Sequence, residues 1–157
     1  MSLFALNLLL AVTWALATGS LSELNLTIGF VVGMIVLHFA GGAVGDARYV
    51  ARLFRIVNLV LYFLYELALS SVRVALDVLR PTLRMKPAVI AVPLDVRSDA
   101  EITLLANLIS LTPGTLSIDV ARDKSVLYVH AMYGGDPDAL AAEIKRTFER
   151  RILEVFR

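Results

Sequence analysis

The pattern of apolar and polar positions divides this chain into four stretches. Met1 to Ser22 carries no charged side chain. Its core, LFALNLLLAVTWALA, is close to the lower limit for a helix that crosses a bilayer, which needs about 20 residues and tolerates roughly 17. Thr18 to Asn25 then interrupts with a short polar turn, and Leu24 to Gly45 is uncharged over a full spanning length. Gly29 and Gly33 stand four apart, as do Gly41 and Gly45. Small residues therefore run down one helical face and predict close approach of another helix backbone, either Met1–Ala17 or another chain. From Arg52 to Lys86 the pattern takes a helical period. At roughly 100° per residue, Arg52, Arg55, Tyr62, Glu66, Ser70, Arg73, Asp77, Arg80 and Arg84 share about a quarter to a third of the circumference. Leucine, valine, isoleucine and phenylalanine fill the rest, as in a helix lying on a membrane surface or packed between hydrophobic neighbours. Pro81 and Pro87 predict where this helix kinks and ends.

Beyond Pro87 the period changes again. Ala88–Val96 is rich in valine and isoleucine and reads as a strand, with Pro93 pointing to an edge position. Ser98 and Glu101 have capping-box spacing ahead of the helix ITLLANLISL, which should stop near Pro113-Gly114. Thr115–Ala121 and Ser125–Met132 read as a hairpin turning at Arg122-Asp123-Lys124. Asp136-Pro137 then starts a last helix, with Leu140, Ile144, Phe148, Ile152 and Val155 on its apolar side. The expected architecture is a membrane α-helical part, residues 1–45 forming two spanning helices and 46–86 a long amphipathic interfacial helix. It is followed by a small cytoplasmic α+β (βαββα) domain over 87–157. So small a domain has little core of its own, and docking against a neighbour would help it.

Composition supports the membrane reading. The hydrophobic fraction is 58%, against about 45–50% apolar in ordinary soluble domains, and the excess lies at the N-terminal end. A net charge of +1 gives no reason to expect nucleic acid as a partner. Residues 46–85 hold six arginines against Asp46, Glu66 and Asp77. Arginines beside apolar segments mark a cytoplasmic face, which puts the Thr18–Asn25 turn outside. A third span conflicts with this, because Arg80, Arg84 and Lys86 are basic as well. It would also bury charges at about 2.5–3.5 kcal/mol each. Two spans and an inner-surface helix are therefore expected, the alternative being three spans with the stripe buried against partner subunits. A cleaved leader ending at Ala15-Leu16-Ala17 is disfavoured, because no Lys or Arg precedes the apolar run and a second apolar segment follows at once. Without cysteine there is neither a disulfide framework nor a thiol metal site.

No catalytic constellation is visible. His38 and His130 stand alone without metal-ligand spacing, and phosphate loops and nucleophile elbows are missing. No catalytic residue, cofactor or metal is therefore expected. Thr112-Pro113-Gly114-Thr115 reads as a helix stop and strand start in preference to an anion-binding turn. Glu66, Arg73 and Asp77 read first as a solvated face, with Arg73 and Asp77 spaced for a local i,i+4 pair. The sharper reading gives these three an intersubunit or ion-path role.

Several blocks resemble one family. Ala91–Asp95, and then Glu101 to Thr115 with Asn107, Ser110, Thr112, Pro113, Gly114 and Thr115, are similar to the E subunit of the Mrp-type multisubunit Na+/H+ antiporters. Leu127–Met132, Phe148–Ile152 and the placing of Trp14 before Thr18-Gly19 fit the same family. Asp46 to Arg48 and Gly134-Gly135 match it least well. The resemblance implies a bacterial cell-membrane complex that exchanges cytoplasmic Na+ for external protons. Its large subunits carry the proton machinery, and the E subunit is an accessory, non-enzymatic component partnered by the other subunits and by membrane lipid. The tail would then be a cytoplasmic cap. The alternative is a stand-alone membrane-tethered domain that binds a ligand or partner through its tail.

Overall fold

A computed structural model of the chain describes residues 2–44, 49–80 and 85–157. Gly45, Asp46, Pro81 and Arg84 fall outside these, and the packing along the second helix is described only as far as Ala40, so the surroundings of Gly41 are outside too. The chain divides into two compact units, Met1–Phe54 and Arg55–Arg157.

The first unit is a helical hairpin. Helix α1 (Leu3–Ala17) is capped by Ser2, whose hydroxyl accepts from the Ala5 N–H, and it leads through Gly19, at φ 71°, into α2 (Glu23–Val44). Gly29 faces the α1 backbone: a Cβ there would lie 2.8 Å from both the Ala11 carbonyl oxygen and the Trp14 Cβ. At Gly33 the added atom would collide with the Asn7 side-chain amide. Asn7, Ala11, Ala15, Gly29, Gly33 and Leu37 are buried among the described residues of this unit. Asn7 Nδ2 donates to the Tyr49 hydroxyl at 3.1 Å, which ties the start of α3 (Tyr49–Val78) to α1. The helices long and apolar enough to cross a membrane are α2, over Glu23–Ala40, and α3, whereas α1 is shorter. Its 15 residues extend about 22 Å, against a hydrocarbon core of about 30 Å. The pairing of candidate spans by length thus differs from the sequence reading, which took the first two apolar stretches.

In the second unit α3 is joined by a small α+β domain. The helix ends at Val78, well short of the expected Lys86. Its last turn tightens through a bond from Arg80 N–H to the Asp77 carbonyl at 3.2 Å. Continuing the helix would place the Pro81 ring against that same Asp77 carbonyl, which accounts for the early stop. The domain runs β1 (Ala88–Pro93), α4 (Asp99–Leu111), β2 (Thr115–Val120), β3 (Val126–Ala131), α5 (Pro137–Ile144), a π-turn (Lys145–Glu149) and α6 (Arg150–Phe156). The antiparallel sheet has the order β1-β3-β2, so Pro93 is on an edge strand, where its missing N–H breaks no ladder. Lys124, at φ 58°, turns the hairpin, and a bulge lies between Ser117 and Asp119. The capping box forms at α4, where the Ser98 and Arg97 N–H groups on the Glu101 carboxylate hold its pKa below the usual range.

The last helix is not the uninterrupted α-helix that the sequence predicts. Ile144, Phe148 and Ile152 recur every four residues, and an α-helix would rotate each about 40° past the one before. The π-turn absorbs that drift and keeps all three buried. They share one core with Ile90 and Val92 of β1, Leu127 and Val129 of β3, Leu105 and Ile109 of α4, and Leu59 of α3.

Candidate functional site

The polar stripe of α3 is the seam along which the α+β domain rests. Near its start, Arg55 Nη1 donates to the Glu154 carbonyl at 2.8 Å. Two turns on, the Tyr62 ring meets Phe148 edge-on, with centroids 6.4 Å apart, and carries the Arg151 guanidinium 3.6 Å above its face. The Tyr62 hydroxyl donates to Glu66 Oε1 at 2.6 Å. Ser70, buried, donates back to the Glu66 carbonyl at 2.6 Å. At the far end Asp77 is buried, and its two oxygens accept from the Tyr133 hydroxyl at 2.6 Å and Arg80 Nη1 at 2.8 Å. The carboxylate partner raises the Tyr133 pKa. From Arg55 to Asp77 the seam runs about 33 Å. The expectation of a solvated face is corrected for Glu66, which is half-buried, and for Asp77, which is buried, whereas Arg73 is exposed.

The expected Arg73–Asp77 pair is also replaced. Asp77 is taken by Arg80 and Tyr133, and Arg73 is left exposed on the rim of a cavity of about 150 Å³. That cavity joins two groups of residues the sequence singled out separately. Glu66 and Arg73 come from α3, and Thr112, Pro113, Gly114 and Thr115 come from the α4–β2 turn. The turn is built by its own hydroxyls: Thr112 Oγ1 donates to the Leu108 carbonyl at 2.8 Å and Thr115 Oγ1 to that of Ile109 at 2.7 Å. Ser110 Oγ accepts from the Ser117 N–H at 3.0 Å. Gly114, at φ 95°, occupies a backbone region that other residues enter only with strain, which explains a glycine there. Asn107 is exposed on α4 and is not among the residues lining the cavity.

Sequence reasoning missed Glu149, the most deeply buried acid among the described residues. Its Oε1 accepts from the Asp95 and Val96 N–H groups at 2.5 and 3.0 Å, which pins the segment after β1 to the π-turn. Lys145 Nζ lies 3.6 Å from Oε2 and also reaches Asp95 Oδ2 at 2.9 Å and the Pro93 carbonyl at 3.0 Å. Burial alone would lower the Lys145 pKa, but these acids hold it above the usual value. The i,i+4 spacing of Lys145 and Glu149 was the available signal. Among the described residues no group of three or more histidine, aspartate or glutamate side chains is placed to hold a metal ion. His38 meets Phe39 edge-to-face within the hairpin, and His130 is on β3.

Known proteins share both this sequence and this fold. A family model described as a Na+/H+ ion antiporter subunit matches residues 7–155. The chain is 39% identical over 150 residues to the E subunit of the Na(+)/H(+) antiporter of Alkalihalophilus pseudofirmus, covering 96% of this chain and 95% of that protein. To the E subunit of the Bacillus subtilis antiporter it is 37% identical over 152 residues, covering 97% and 96%. Among solved structures, it superposes with TM-score 0.52 and 33% identity on a chain of the Mrp complex from a Dietzia species, over 66% of this chain and 96% of that one. A chain of an archaeal respiratory membrane complex, the membrane-bound sulfane sulfur reductase, matches over 97% and 98% with TM-score 0.60 and 25% identity.

Proposed function

This chain belongs to the E-subunit family of multisubunit Na+/H+ antiporters, and from that premise we propose that it is a non-catalytic strut, carrying a cytoplasmic cap on a helix laid along the membrane surface. It is an accessory membrane subunit that works in a hetero-oligomer with the other antiporter subunits. The near full-length relationship to antiporter E subunits carries this reading.

The disposition of α3 follows from its seam. By length and composition this helix passes for a span, yet the charged residues of α6 contact it along its polar stripe. A crossing helix would carry Arg151 and Glu154 into the hydrocarbon, at about 2.5–3.5 kcal/mol per charge on insertion scales. Laid in the interface, the same helix keeps the domain in water and turns Val57, Leu61, Leu64, Val72 and Leu76, all exposed, to lipid or to neighbouring subunits. The excess of arginine over residues 46–85 supports a cytoplasmic side for that surface.

On this reading Asp77 fixes the domain to α3 through Tyr133, Glu66 orients the Tyr62 hydroxyl, and Arg73, exposed at the cavity rim, is available to a neighbouring subunit. Purification in mild detergent tests the assignment: the chain should co-migrate with several polytopic membrane proteins. A chain that runs alone while folded would favour a tethered binding domain instead. Glu66→Gln in the reconstituted complex should leave cation exchange unchanged. Loss of exchange with assembly intact would move Glu66 onto an ion path.

A further inference from the structure

On the flank of α3 is a second recess, of about 340 Å³, between Asn58 and Tyr62 on one side and Arg146, Arg150 and Arg151 on the other. We propose that it binds the phosphodiester of an anionic glycerophospholipid. Three guanidinium groups share the recess with a single carboxylate, Glu154. Arg150 is engaged with that carboxylate at 3.1 Å. Arg151 is held by the Thr147 carbonyl at 2.7 Å and by the Tyr62 ring. Arg146 is exposed, and its side chain makes no hydrogen bond or ion pair among the described residues, so the recess carries uncompensated positive charge.

The π-turn creates this cluster. In an α-helix, residues five apart point about 140° away from each other, and Arg146 and Arg151 would diverge. Here the Arg150 N–H bonds the Lys145 carbonyl, five residues back, so five residues close nearly a full turn. Arg151 Nη1 comes to 3.5 Å from the Arg146 carbonyl. Such π-turns recur at functional sites. Guanidinium forks match the paired oxygens of a phosphate.

A lipid fits better than a free phosphate because of the lip. Leu61 and Tyr65, three and seven residues beyond Asn58, lie on its side of α3 and are more than half exposed, at 62% and 60%. Acyl chains leaving an anchored headgroup would run over them. This acyl part rests on α3 lying at the membrane surface, while the anion site does not.

The test uses the full chain in nonionic detergent, titrated with short-chain phosphatidylglycerol, short-chain phosphatidylcholine or inorganic phosphate. Binding is read by thermal shift and native mass spectrometry. Phosphatidylglycerol should bind and raise Tm, and phosphatidylcholine should not. Arg146→Gln and Arg150→Gln should each weaken binding about five-fold, while Arg122→Gln, at the hairpin turn, should leave it unchanged. An equal response to inorganic phosphate would overturn the lipid in favour of a soluble anion. No response, or one that survives the double variant, would overturn the site. Loss of co-purifying subunits in the double variant with lipid binding unaltered would reassign the cluster to an acidic protein partner. Micelles impose no disposition on α3, so failure here is distinguishable from failure of the interfacial reading.

Discussion

The hairpin of α1 and α2 and the unit formed by α3 with its α+β domain bury different kinds of residue. In the hairpin the described buried positions are Asn7, Ala11, Ala15, Leu37 and two glycines, Gly29 and Gly33, that let the helices approach closely. In the second unit the core is isoleucine, leucine, valine and phenylalanine gathered from α3, β1, α4, β3 and the helical segments from α5 to α6. On the proposed membrane placement, lipid offers no hydrophobic reward for bringing two apolar helices together, so the hairpin would rely on close contact and on a placed amide. Water offers that reward, so the domain builds a core and must then satisfy every polar group it encloses. The contrast predicts that the two units break by different substitutions.

The largest effect should come from Glu149→Ala. It leaves the Asp95 and Val96 N–H groups without their acceptor, at about 1–3 kcal/mol each, and removes one partner of a part-exposed ion pair with Lys145. Hydrogen exchange at Asp95 and Val96 should accelerate while α1 and α2 keep their protection. Retained protection at those two amides would show that Glu149 does not hold them. Next is Gly29→Val, in which the new side chain meets the α1 backbone. An overpacked contact of this kind costs about 1–3 kcal/mol, here confined to exchange in the hairpin. Gly33→Ala should cost less, because the atom it meets ends the Asn7 side chain and can rotate away.

Tyr133→Phe deletes the hydrogen bond to the Asp77 carboxylate and should destabilise the seam by about 1.5 kcal/mol. Because the folded-state pKa of Tyr133 is raised, that contribution is complete below about pH 10 and is lost as pH rises through the raised value. The gap between wild type and variant in a thermal melt should therefore close at strongly alkaline pH. The smallest effect is Ser98→Ala at the α4 cap, about 1 kcal/mol. The Glu101 half of that cap contributes above its unfolded pKa and is lost as pH falls through its lowered folded value.

Much of this was legible from local chemistry. Ser98 with Glu101, Asp136 with Pro137 and the Arg122–Lys124 turn are short-range signals, and each element forms where its signal places it. The stripe on α3 was legible as a stripe, but its partner was not. What covers Tyr62 and Asp77 are Phe148, Arg151 and Tyr133, 56 to 89 positions later in the chain, and no periodicity carries that information. Gly29 and Gly33 signalled a packing face without naming what fills it. The π-turn was hidden because a four-residue spacing of apolar side chains looks helical over one turn and drifts only over several.

The role of the cap rests most on α3 lying in the membrane surface and not crossing it. The chain contains no cysteine, so single exchanges at Ala51 and Leu79, which bracket the helix, can be labelled and read on this chain without background from it. In the assembled complex, a membrane-impermeant maleimide applied from the cytoplasmic side should modify both Ala51→Cys and Leu79→Cys. Modification of the two from opposite sides of the membrane would contradict it.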